Sequence, residues 1–124
     1  MYLMLLKNDP AKLISWNFRA EEFLCNCSYS DCNFSMLYYK TLDSAQRFRS
    51  YINRSLHITS GHRCQRHNSV VRGSNNSYHM KGHAVDFYVP EAEYTVEEFA
   101  QVARLFFDVV IEYSDDGFIH CHNV

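Results

Sequence analysis

The stretch Ala84-Val85-Asp86-Phe87-Tyr88-Val89, closed by Pro90, constrains the fold more than any other part of the chain. Side chains on a strand alternate between faces, so Ala84, Asp86 and Tyr88 fall on one side and Val85, Phe87 and Val89 on the other. A carboxylate therefore leaves the strand opposite its most apolar side chains, where it can be held as a ligand beside a core. Just upstream, Ser77-Tyr78-His79-Met80-Lys81-Gly82-His83 sets His79 across Gly82 from Asp86. Imidazole nitrogen and carboxylate oxygen are both zinc donors, and a catalytic zinc keeps three protein ligands and one open position. The third donor has to come from elsewhere in the chain, and the later histidines are His120 and His122.

Around this stretch the pattern predicts an α+β domain, a mainly antiparallel sheet with helices packed on one side. Trp16, Phe18, Phe23 and Leu24 are expected to anchor a short helical turn, followed by a loop over residues 25 to 35. A helix is expected from about Ser35 to Leu56, with Leu42, Ala45, Phe48 and Ile52 as its buried stripe. His57 to Gly61 reads as a strand, and residues 62 to 76 as a long loop whose place before His79 suggests function. Thr95 and Glu98 form a capping box for a helix ending near Phe107, with Val96, Phe99, Val102, Ala103 and Phe106 facing inward. Val109–Tyr113 and Phe118–His122 are strands joined by the turn Ser114-Asp115-Asp116-Gly117. Phe118, His120 and His122 share a face of the last strand, so either imidazole could reach a metal.

The chain has 124 residues, which predicts a single domain over residues 1–124. A formal charge of -2 without a basic block gives no support to nucleic-acid binding. Met1 to Leu6 is apolar but too short for a membrane span and lacks the basic leader of a signal peptide, so no membrane insertion is expected. Five cysteines cannot all pair with one another. Cys25, Cys27 and Cys32 cluster as C-x-C-x4-C, while Cys64 and Cys121 stand apart. Free thiols or one pair in a loop is the favoured reading, since no fourth donor for a structural metal is evident in the spacing.

Ser60-Gly61-His62-Arg63-Cys64, His67-Asn68, Gly73-Ser74-Asn75-Asn76-Ser77, His79-Met80-Lys81-Gly82-His83-Ala84-Val85-Asp86 and Phe118-Ile119-His120-Cys121 resemble the ordered motifs of the peptidase M15 family. That family contains zinc D-alanyl-D-alanine carboxypeptidases and phage-type peptidoglycan peptidases, and shares its fold with the signalling domain of hedgehog proteins. The resemblance covers most of residues 16 to 122, and S-x-H-x-x-G-x-A-x-D is its most specific part. It implies a hedgehog/DD-peptidase-like fold holding Zn2+ on His79, Asp86 and His120. The activity it implies is hydrolysis, by metal-activated water, of peptide bonds in peptidoglycan stem or cross-link peptides. Arg63 falls at the arginine that stabilises charge on the scissile carbonyl, and Ser77 at a serine near the metal, a substrate-binding or supporting group. Gly82 would allow close approach of backbone to the site. Action at the cell wall, periplasmic or extracellular, is implied, with phage- or virus-encoded release as a route that needs no signal peptide. A non-catalytic, zinc-stabilised binding module of the same fold is the alternative.

The chain departs from the family at the proton-transfer group. Relatives carry a carboxylate three residues before the last histidine ligand, where this chain has Gly117. His122, which titrates near neutrality and shares the His120 face, is the first choice for acid/base, and Asp116 the reserve. Arg72 stands where the family more often has glycine. His83 is expected to point away from Asp86, and His57, His62 and His67 to be supporting or surface groups.

Overall fold

The computed structural model describes residues 1–90 and 93–124. Its strands form two antiparallel sheets. In the first, β1 (Tyr2–Leu6) pairs with β2 (Phe34–Tyr38). In the second, β3 (His57–Ser60), β4 (Ala84–Tyr88), β5 (Val109–Tyr113) and β6 (Phe118–His122) lie in the order β3-β4-β6-β5. The helices are α1 (Tyr39–Ile52), α2 (Gln65–Val70) and α3 (Val96–Ala103). The architecture is thus α+β, as the pattern predicts.

The alternation in β4 divides the molecule into an apolar and a chemical side. Val85 and Phe87 are buried in the hydrophobic cluster with Leu42, Ala45 and Phe48 of α1 and with Phe99, Ala100 and Ala103 of α3. Phe48 and Phe87 meet with ring centroids 5.5 Å apart. Ile119 and Cys121 of β6 join the same cluster, and burial pushes the Cys121 thiol well above the usual thiol range. The capping box forms as expected: Thr95 accepts from the Glu98 amide at 3.2 Å and Glu98 accepts from the Thr95 amide at 3.1 Å. No helix among the described residues is long and apolar enough to cross a membrane.

Four local expectations need correction. The helix starts at Tyr39, because residues 34 to 38 alternate buried Ser35 and Leu37 with more exposed neighbours and pair with the apolar N-terminal segment as β2. It ends at Ile52, capped by Asn53, which adopts a left-handed conformation (φ 52°) and closes the last turn onto the Arg49 carbonyl at 3.0 Å. Residues 62 to 76 are not a long loop, since α2 occupies their centre with Cys64 as its N-cap. Trp16 is no anchor. This residue is 89% exposed, while Phe18, Phe23 and Leu24 are buried around the single helical turn Ala20–Glu22. The last helix stops at Ala103, and hydrogen-bonded turns carry the chain on to a buried Phe107.

Gly82 serves a different contact from the one its motif suggests. Its backbone is left-handed (φ 74°), and a side chain there would collide with the Met36 carbonyl oxygen of β2 at 2.2 Å. The Tyr38 amide donates to the Gly82 carbonyl at 2.9 Å, so the glycine docks the turn before β4 onto the first sheet.

Candidate metal centre

Register brings the donors together. The pairing of β4 with β6 sets Asp86 opposite His120, and the pairing of β3 with β4 sets Ser60 opposite Asp86. His79 comes from a tight run of turns, in which the Met80, Lys81, Gly82 and His83 amides donate to carbonyls of Ser77, Tyr78 and His79. Ser77 contributes directly: its hydroxyl accepts from the His79 amide at 3.2 Å. The outcome is a buried His79 (2% exposed) facing a buried Asp86, with half-buried His120 beside them.

One ligand atom from each of His79, Asp86 and His120 lies within 4.8 Å of the other two. His79 Nε2 is 3.1 Å and His120 Nδ1 is 2.8 Å from Asp86 Oδ1. Zinc bonds of 2.0–2.1 Å in tetrahedral geometry put neighbouring donors about 3.4 Å apart, so the two distances to Asp86 differ from those of a shared ion by only tenths of an ångström. The surrounding bonds select the right tautomers. His79 Nδ1 lies 2.7 Å from the Gly61 carbonyl, which can accept only from N–H, so Nε2 is the nitrogen that faces Asp86, as a donor to the carboxylate when the ring is protonated and as a metal ligand when it is neutral. Burial opposes ionisation of Asp86, but hydrogen bonds with His120 and His79 overcome it and hold the carboxyl at about 2, so the donor is an anion. The set of two imidazoles and a carboxylate fits zinc.

Arg63 stands over the remaining side of Asp86, with a guanidinium nitrogen 3.7 Å from Oδ2. Its orientation is fixed by donation to Ser60 Oγ at 3.1 Å and Asn68 Oδ1 at 3.0 Å, and Asn68 is itself buried and donates to the Ser74 carbonyl at 2.9 Å. His122 Nδ1 is 2.9 Å from His120 Nε2, and its ring stacks on Tyr78 with centroids 4.0 Å apart. Burial lowers the His122 pKa, and the neighbouring His120 and His79 lower it further. Arg63, Tyr78 and His122 line, together with His79, Asp86 and His120, a groove with a volume of about 480 Å³.

The structure sorts the other sequence candidates. Asp116 is exposed in the turn between β5 and β6 and does not line the groove. His83 turns away as expected, bonding the Asn123 carbonyl at 2.8 Å and the Tyr2 hydroxyl at 2.6 Å. His62 bonds Ser35 Oγ at 3.0 Å, and His57 packs against the Tyr88 ring. Arg72 lines the groove and has a left-handed backbone (φ 59°), which explains why a glycine would be at ease there. Sequence reasoning gave no role to Asn68 or Tyr78. Asn68 is a short amide inside the stretch read as loop, and Tyr78 is one aromatic among many.

No curated protein sequence matches the chain. The sequence profile described as Peptidase M15, in contrast, matches residues 16–122, almost the whole length and all of the residues that build the groove. On that match the chain belongs to the peptidase M15 family.

Proposed function

We propose that residues 1–124 act as a single zinc metallopeptidase domain of the hedgehog/DD-peptidase type that hydrolyses peptide bonds in peptidoglycan stem or cross-link peptides containing D-amino acids. The observation that carries this reading is the convergence of His79, Asp86 and His120 on one point beneath Arg63, in a groove open enough for a peptide. Bound zinc would lower the pKa of a water molecule and polarise the scissile carbonyl.

The chain's own residues supply the rest. Arg63 holds a fixed positive charge beside the donors and is suited to the oxyanion that develops on the carbonyl, where preorganised charge counts most. Arg72 adds a second guanidinium to the groove wall, which suits a substrate bearing free carboxylates, as stem peptides do. Ser77 positions His79 through its amide. His122 is the acid/base of this proposal, since among the described residues it is the one imidazole or carboxylate lining the groove besides the three donors. With His120 binding through Nδ1, its Nε2–H donates to His122 Nδ1. Uptake of a proton at His122 Nε2 would then require this bond to break or reverse, so the pair is coupled.

The test uses zinc-loaded protein with defined peptidoglycan fragments and product masses. His120→Ala should lose both the metal and hydrolysis. His122→Ala should keep the metal and turn over about 10²–10⁴ times more slowly; unchanged turnover would reject its role. Product masses separate removal of a terminal D-alanine from cleavage within the stem or cross-bridge. A binding module of the same fold, with Gly117 replacing the usual carboxylate, would bind zinc and muropeptides with no cleavage.

A further inference from the structure

The sulfurs of Cys25, Cys27, Cys32 and Cys64 all lie within 4.8 Å of one another, although Cys64 is far from the others in sequence. Cys64 Sγ is 3.9 Å from Cys27 Sγ. A zinc ion with four sulfur ligands at 2.3 Å places neighbouring sulfurs about 3.8 Å apart. From this geometry we infer a second, structural zinc site, closed by four thiolates and separate from the peptidase groove.

Core packing does not account for the convergence. Residues 25 to 33 contain no helix or strand and, apart from Tyr29, are cysteine or small polar residues. None of the four cysteines belongs to the hydrophobic cluster, whereas the fifth, Cys121, does. Among the described residues no disulfide joins any of them. Instead three of the four sulfurs are met by N–H donors, as thiolates need: the Cys64 amide donates to Cys25 Sγ at 3.3 Å, the His67 amide to Cys64 Sγ at 3.4 Å, and the Lys7 ammonium to Cys27 Sγ at 3.3 Å. Four thiolates in a tetrahedron suit zinc or iron, and with no open position the site is structural in type.

The site ties an otherwise irregular segment to the N-cap of α2, one residue from Arg63. The metal would thereby fix the loop that aims the guanidinium at Asp86. Its effect on catalysis is one of positioning.

Metal analysis of the full chain, purified with zinc under reducing conditions, should find two zinc ions per molecule. His79→Ala should fall to one, retained at the cysteines. Loading that variant with cobalt should give visible d–d bands of a tetrahedral site together with near-ultraviolet thiolate-to-cobalt charge transfer, and a histidine-carboxylate site cannot provide the charge transfer. Four thiols should become reactive to a colorimetric disulfide reagent only after the metal is stripped. The cobalt spectrum and thiol titration need no cysteine variant, so a Cys32→Ser protein that fails to fold leaves the test intact. Overturning results are a His79→Ala protein without zinc, a cobalt spectrum lacking charge transfer, iron in place of zinc, or a mass lower by four hydrogens that marks two disulfides. The zinc retained by His79→Ala, its cobalt spectrum and the thiol titration read the cysteine site alone, so their outcome is independent of the peptidase proposal.

Discussion

Gly82→Ala is the substitution whose cost follows most directly from the structure. The left-handed backbone at φ 74° costs an L side chain about 1–2 kcal/mol. The new Cβ would sit 2.2 Å from the Met36 carbonyl oxygen and 2.9 Å from its carbonyl carbon, and both are backbone atoms that cannot rotate away. Contacts below 3.0 Å essentially never occur, so β2 has to retreat by about 0.8 Å or more. That movement strains the Tyr38 to Gly82 hydrogen bond of 2.9 Å, worth about 0.5–1.5 kcal/mol. A loss of about 2–4 kcal/mol is expected after the small entropy gain from removing a glycine. Gly117→Ala is the internal control, since Gly117 has nearly the same dihedral (φ 76°) with nothing within 4 Å of the added atom. It should lose only about 1 kcal/mol. Urea unfolding of both variants at fixed zinc concentration measures the difference, and thermal melting should show a gap of roughly 5–12 °C between them. Equal losses would refute the reasoning, because they would leave only the shared dihedral and no contact with β2.

Arg63→Met should keep zinc and lower kcat/KM by about 10²–10³, mostly through kcat; a rise in KM alone would mean that Arg63 binds substrate and transition state equally. Asp86→Ala should lose the zinc of the groove and all hydrolysis while retaining the metal at the cysteines, as read by metal content. Ser77→Ala removes the acceptor of the His79 amide and should weaken zinc binding by about 10-fold, measured by competition with a chelator, whereas unchanged affinity would make Ser77 a substrate contact only. Asn123 is fully buried, accepts from the Asp108 amide at 2.9 Å and donates to Ser44 Oγ at 3.1 Å. Asn123→Ala should therefore cost about 2–3 kcal/mol in urea unfolding, and a loss below about 0.5 kcal/mol would count against the bonds.

Legibility in the sequence followed periodicity. The β4 alternation told which face Asp86 shares with the groove, and the same rule set His120 and His122 on one face of β6. The stripe of α1 and the cap of α3 were readable because side chains repeat at helical spacing and the cap is a local hydrogen-bond pattern. What stayed hidden depends on partners distant in sequence. Residues 34 to 38 form a strand only because the first residues of the chain pair with them. Cys64 reads as isolated until the fold carries it to the C-x-C-x4-C segment. Asn68 matters through its bonds to Arg63 and the Ser74 carbonyl, which no local pattern announces. The role of Gly82 was misassigned for the same reason, since its tight neighbour is β2 and not the groove.

The central claim is that one zinc ion is shared by residues from the middle and the end of the chain. An anomalous-difference map collected at the zinc edge from crystals of the loaded protein tests it most directly. The account predicts a peak about 2.0–2.2 Å from His79 Nε2, an Asp86 carboxylate oxygen and His120 Nδ1, and a zinc peak that leaves any of these three outside its coordination sphere would contradict it.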